Sequence, residues 1–207
     1  MKYFRYAGFA LLLGLIASCT RDPLSDLSPE ESQVFITNRD PGANFQQYKT
    51  FSILDSVLII GNQGRGTSLT DMDITFLTSV VRNMQALGYT YVGPRDNPDV
   101  GINVAQVRNA YLNVVSQPIN PYLGNYWGGF GYGNGFGFGY PATFSYYQTR
   151  ENYWYLEMID FKNPDNQNNQ FDVIWSAEIR GRGLFDTEYL ENMVNSVFDQ
   201  SNYLRLN

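Results

Sequence analysis

Apolar positions along this chain follow two spacings, and the change from one to the other marks out the elements. Ile74, Leu77, Val81, Met84 and Leu87 recur every three or four residues, which puts them on one face of an α-helix. Ser68 or Thr70 can cap its start, with Asp71 or Asp73 three residues on, and Gly88 stands where a helix ends in a left-handed residue. A second stripe, Leu190, Met193, Val194 and Val197, predicts a closing helix capped by Asp186 or Thr187. Between them the period is two. In "DVGINVAQV", Val100, Ile102 and Val104 alternate with Gly101, Asn103 and Ala105, the pattern of a half-buried strand. In "NYWYLEMIDF", Trp154, Leu156 and Met158 oppose Tyr153, Tyr155, Glu157 and Ile159. "FDVIWSAEIRG" sets Val173, Trp175, Ala177 and Ile179 on one side, and "NPDNQNNQ" turns the chain between the two strands, giving a hairpin.

Upstream, "VFIT", "FQQYKTFSIL" and "SVLII" read as strands, with "YTYV" and "NAYLNVV" as weaker ones. "GNQGRGTS" reads as a loop by its glycines, and it lacks the Lys-Ser/Thr pair that a phosphate-binding loop needs. Two helices with one apolar stripe each pack most simply on one face of a mixed or antiparallel sheet. The predicted fold is an α+β two-layer sandwich.

The first residues follow a different logic. "MKYFRYAGFALLLGLIASC" has a short positive head at Lys2 and Arg5, then an apolar run that falls short of the roughly 20 residues a membrane-spanning helix needs. Residues 1–18 read as a signal peptide. Ile16-Ala17-Ser18-Cys19 resembles the bacterial lipoprotein box, in which the cysteine becomes the first mature residue and carries a diacylglycerol and an N-acyl chain. Cys19 is the only cysteine, so it has no disulfide partner within the chain. Each buried methylene contributes about 0.8 kcal/mol, so three acyl chains would hold the protein at the bilayer. Thr20 rather than Asp follows the cysteine, which points to the outer membrane, facing the periplasm. Residues 19–33 continue as "CTRDPLSDLSPEESQ", read as a flexible tether, and a single domain occupies 34–207.

One stretch fits neither spacing. Residues 125–140, "NYWGGFGYGNGFGFGY", hold seven glycines and seven aromatic rings: Tyr126, Trp127, Phe130, Tyr132, Phe136, Phe138 and Tyr140. They lie in an insert of about 118–142, flanked by Pro118, Pro121 and Pro141. Asn134-Gly135 is a two-residue hairpin signal, although so many glycines weaken any isolated ribbon. Rings bury about 150–250 Å² each, so something must cover them. The covers are the domain itself, the membrane interface or another envelope protein, or the rings of a glycan.

"DPGANFQQYKTFSI" together with "NPDVGINV" resembles a family of bacterial lipoproteins known as domain of unknown function 4136. Its members pair a "YKTF" opening with a helix, a "PD-hydrophobic" strand and a closing hairpin and helix, and many have a Gly/Tyr/Trp-rich insert. Asn44 stands before Phe45 where an acid is common in the family. The resemblance covers about residues 34–203 and implies an envelope location and an α+β fold. It implies no activity.

Composition narrows the chemistry. Histidine is absent, which removes the commonest general base near neutral pH, the usual nucleophile triads and the usual zinc sites. Loss of Lys2 and Arg5 with the signal peptide leaves 12 basic side chains against 20 acidic, a formal charge of −8 that repels nucleic acid. Lys49 and Lys162 are then the only lysines, and neither sits in a Ser-x-x-Lys spacing. Glu157, Asp160, Asp172 and Glu178 lie on the predicted hairpin, where two could approach as a glycosidase pair, which needs about 5–5.5 Å when retaining. Solvated strand-face acids are the plainer expectation. Arg180 and Arg182 read as surface charges, and no calcium or zinc spacing stands out. The expectation is a non-catalytic, membrane-anchored envelope lipoprotein with no cofactor beyond its lipid, binding a partner through the aromatic loop. The alternative is a glycan-binding or glycan-cleaving periplasmic protein.

Overall fold

The structure is a computed structural model that describes residues 26–61, 64–108, 127, 130, 137–139 and 152–207. Along the chain the elements are β1 (Val34–Arg39), β2 (Thr50–Ile53), β3 (Val57–Gly61), β4 (Gly64–Ser68), α1 (Asp71–Ala86), β5 (Thr90–Tyr91) and β6 (Val100–Arg108). After the insert come β7 (Gly137–Gly139), β8 (Tyr153–Asp160), β9 (Gln170–Arg180) and α2 (Thr187–Gln200). Strands β1, β9, β8 and β6 run antiparallel in that order. The other edge of β6 takes two parallel partners end to end, β2 along 100–102 and β3 along 105–108. Strand β5 extends β2 and strand β4 extends β3. Both helices lie on one face of this mixed sheet, so the α+β two-layer arrangement holds.

Local signals explain the helix ends. Thr70 caps α1 by accepting from the Asp73 amide, and Asp73 accepts in return from the Thr70 amide, a complete capping box. Gly88 has φ of +100° and closes the helix as the sequence predicts. The buried stripe is rotated, however. Asp73, Phe76, Leu77, Val80 and Met84 face inward, whereas Ile74 is 46% exposed and Val81 half-buried. Asp73 turns in because Gln106 of β6 donates to its carboxylate at 2.6 Å. Leu69 and Ile74 then occupy the two outer positions of a hydrophobic staple around the cap.

The core between helices and sheet joins Phe76, Met84, Val194 and Val197 to Ile102, Leu156 and Ala177. Phe76 stacks on Trp154 with ring centroids 4.0 Å apart. The indole of Trp154 donates to the Leu184 carbonyl and that of Trp175 to Ser201, so neither buries an unmet N–H. Among the described residues, no helix is long and apolar enough to cross a membrane.

Four further expectations change. Phe45–Gln47 is a 3-10 turn, and the second strand starts only at Thr50. Residues 64–68, read as loop, form β4, whose register with β3 pairs Gly61 with Gly64. The hairpin β8–β9 has a bulge: Met158 faces Trp175, but Ile159 faces Val173. Ile174 is the extra residue, so Val173 turns to the sheet face opposite Trp175 and packs with Ile159 and Phe171. Finally, β6, β8 and most of β9 are buried on both faces, so the "polar" side of each strand is a second core.

The described part of the expected tether is also packed. Ser28 and Glu31 cap one another through side chain and amide, and Ser32 and Gln33 amides close the turn on Ser28, Pro29 and Glu30. This turn lies against the corner after β9. The Arg182 amide donates to Ser32 Oγ at 3.1 Å and its guanidinium to the Leu27 carbonyl at 3.2 Å.

Candidate functional site

The face of the sheet away from the helices receives Trp127 and Phe130 of the insert. Gly101, Asn103, Ala105 and Val107 of β6 turn to it, as do Tyr155, Glu157 and Ile159 of β8. Trp127 is fully buried there, among Leu54, Ile159, Phe161, Phe171 and Val173. Its ring lies edge-on to Phe161 with centroids 5.0 Å apart, and its Nε1 donates to Asn103 Oδ1 at 2.6 Å. Asn103 Nδ2 in turn reaches Glu157 at 3.4 Å. Gly101 makes the space: a Cβ there would strike the Phe161 ring and come within 3.0 Å of Trp127 Cζ2. A short backbone hydrogen bond, Phe130 amide to Trp127 carbonyl, turns the chain, and Arg95 lies 5.5 Å over the Phe130 ring. Further along, β7 pairs parallel with the start of β9, Phe138 opposite Phe171.

A second polar cluster ties the motifs of the opening strands. Tyr48 Oη donates to Asp160 at 2.6 Å, and burial together with that carboxylate pushes the phenol well above its usual range. Asp160 also accepts from the Lys162 and Asn163 amides. Asp99 accepts from the Lys49 and Thr50 amides at 2.7 and 3.1 Å and pairs with Lys162 Nζ at 3.0 Å. Burial raises the Asp99 carboxyl, but the bonds from Lys49, Lys162 and Thr50 outweigh it and hold the group below the ordinary carboxylate range. The Tyr-Lys-Thr and Pro-Asp motifs therefore act as one clamp at the end of β2, β6 and β8.

The four hairpin acids are buried or half-buried and divide into two same-face pairs, Glu157 with Glu178 on the insert face and Asp160 opposite Asp172 on the helix face. Alternation along β8 sends Glu157 to the insert face and Asp160 to the helix face. On β9 the bulge has the same effect, so Asp172 lies opposite to its neighbours Phe171 and Val173, while Glu178 is buried in a pair with Arg180 at 2.7 Å. Burial raises the Asp172 carboxyl, with Asp165, Asp40 and Asp160 adding to the effect. Arg180 is thus a buried partner, not a surface charge, and it also covers the Tyr153 ring at 4.6 Å. Arg182 is exposed as expected.

A family model described as "Domain of unknown function (DUF4136)" matches residues 36–201. The chain belongs to the DUF4136 family. A DUF4136 family protein from Bacteroides thetaiotaomicron has a similar solved structure, with a TM-score of 0.66 and 26% identity over 84% of this chain and 97% of that one. A PelC dodecamer from Paraburkholderia phytofirmans aligns with a TM-score of 0.43 and 12% identity over 84% of this chain and 99% of that one. No curated protein matches.

Within this DUF4136 domain the expected binding rings meet different fates. Trp127 does not offer its ring outward; it is the plug that fastens the insert, because Gly101 and Asn103 form a socket of matching shape and polarity. Phe130 packs beside it, partly buried, and Phe138 lies in β7. Cys19, Tyr126, Tyr132, Phe136 and Tyr140, the Asn134-Gly135 turn and the "NAYLNVV" strand lie outside the described residues. Asn103 and Gly101 were not singled out by the sequence as site residues. Their signal was there, a glycine and an amide alternating inside an apolar strand, but nothing in the chain names the indole they receive.

Proposed function

We propose that this DUF4136 chain is a non-catalytic lipoprotein of the bacterial cell envelope, anchored by acyl chains on Cys19 in the outer membrane facing the periplasm, and that its insert holds an envelope protein. The observation that carries the reading is the run from Lys2 to Cys19: positive head, short apolar segment and Ile-Ala-Ser-Cys. The fastened insert supports the rest. Trp127, Phe130 and β7 attach the glycine–aromatic run to a rigid sheet at three points, which lowers the ordering cost of presenting the remaining rings Tyr126, Tyr132, Phe136 and Tyr140. A non-catalytic role is supported by the missing histidine. A glycan platform would want an outward indole beside paired carboxylates, whereas Trp127 is buried and Glu178 is neutralised by Arg180.

Two measurements test this reading. Metabolic labelling with a palmitate analogue is expected to mark the protein and to fail for Cys19→Ser; an unlabelled protein in the aqueous periplasm overturns the anchor. Crosslinking in native envelopes is expected to capture a protein that disappears when Tyr126, Tyr132, Phe136 and Tyr140 are replaced by serine with Trp127 kept. An unchanged set of crosslinked proteins overturns the binding role of the rings.

A further inference from the structure

We infer that residues 27–33 are a collar that sets the polarity of the anchored domain, standing it on the corner after β9 with the insert's socket turned away from the anchoring bilayer. The inference rests on acylation of Cys19. Its own evidence is the packing of a segment that composition reads as free. The turn is closed within itself by the mutual Ser28–Glu31 cap and by Ser32 Oγ donating to the Pro29 carbonyl at 2.7 Å. It is then fixed to the body through Arg182, which holds both Ser32 and Leu27. The corner is shaped for it. Gly181 has φ of +123°, and a Cβ there would run into the Ser32 carbonyl and reach 2.9 Å from Gln33 Cα; at Gly183 a Cβ would meet Pro29 at 2.9 Å. Both glycines have positive φ, which favours glycine by itself, and the close approach of Ser32, Gln33 and Pro29 leaves no room for a side chain there either.

The register then separates two ends of the molecule. Val34, Arg180 and the start of β8 at Tyr153 lie in one row across the sheet, continued by Val107. The collar belongs to this end. Trp127 seats at Gly101, six strand residues along β6 from Val107, or about 20 Å at 3.3 Å per residue. Strand β7 meets β9 at residues 170–172, about 30 Å from Arg180 by the same rise. Seven residues separate Cys19 from Leu27, where the collar begins, a contour of at most about 25 Å. Without the collar that span would run to Val34 and the domain could lie on any side. With it, lipid meets the corner after β9 and the start of α2, and the fastened rings face the compartment. The partner is therefore a protein that approaches from the periplasmic side, not the bilayer that holds the anchor.

The test places a fluorophore on a single introduced cysteine in the full acylated chain, since Cys19 is blocked by its lipid and no other thiol exists. Glu188→Cys reports the collar end and Asn166→Cys, in the exposed β8–β9 turn, reports the socket end. In phosphatidylethanolamine–phosphatidylglycerol vesicles containing a headgroup-nitroxide lipid, the Glu188 site is expected to be quenched several-fold more strongly than the Asn166 site. Ser32→Ala with Arg182→Ala, both near the surface, is expected to bring the ratio towards one. Equal quenching in the parent protein, stronger quenching at Asn166, or a ratio indifferent to the double substitution overturns the collar. A chain that neither takes up the palmitate label nor floats with the vesicles defeats the anchor reading itself, and this inference with it.

Discussion

At the residue scale, position 127 shows how an expectation from local composition can reverse. A tryptophan in a run of glycines has no cover within several residues, so the sequence leaves the domain, the bilayer, a partner protein and a glycan as alternatives and offers the ring as a binding residue. What covers it is Gly101 and Asn103, on a strand more than twenty residues upstream, and Phe161, more than thirty downstream. Truncation leaves a void in a packed face and an unmet Asn103 acceptor, so Trp127→Ala should destabilise the domain by about 3–5 kcal/mol. Urea unfolding would read this directly, and an unchanged midpoint would contradict the socket. Asp99 makes a different prediction. Its folded-state carboxyl is held below the ordinary value, so it contributes stability that is present above that value and is lost as pH falls through the lowered one. Asp99→Asn should therefore be less stable than the parent at neutral pH, with the gap narrowing below about pH 4. Asp172 is raised and acts with the opposite sign: its cost in the folded state is present at neutral pH and fades on acidification.

Elements were legible wherever the pattern was long. Helix α2 appears with its predicted stripe, Leu190, Met193, Val194 and Val197, all buried. Helix α1 appears with its ends right and its stripe turned, because one polar contact, Gln106 to Asp73, competes with the burial of Ile74. That rotation is measurable. Ile74→Ala should cost well under 1 kcal/mol, whereas Met84→Ala should cost about 2–5 kcal/mol; equal losses would return the stripe to its sequence-read position. The bulge at Ile174 had no such signature. Strict alternation through "FDVIW" would put Val173 beside Trp175, and only the pairing of β8 with β9 shows that one residue is surplus. Strand β4 was hidden for the opposite reason. "GRGTS" has too little apolar bulk to announce a strand, and it is one because β3 supplies the hydrogen bonds.

For the whole molecule, the chain alone determined the two-helix, mixed-sheet class, the amphipathic stripe of α2 and the acidic, histidine-free character, since each is a property of neighbours in sequence or of a sum over it. The tertiary structure decided the rest. It buried the second sheet face, split the four acids into one pair on each side, turned Trp127 from a binding ring into a plug, and packed residues 27–33 against the corner at 181–183. Each of these depends on contacts between residues far apart in the chain, where shape and unpaired polar groups select the partner. Periodicity records which way a side chain faces but not what waits on that side.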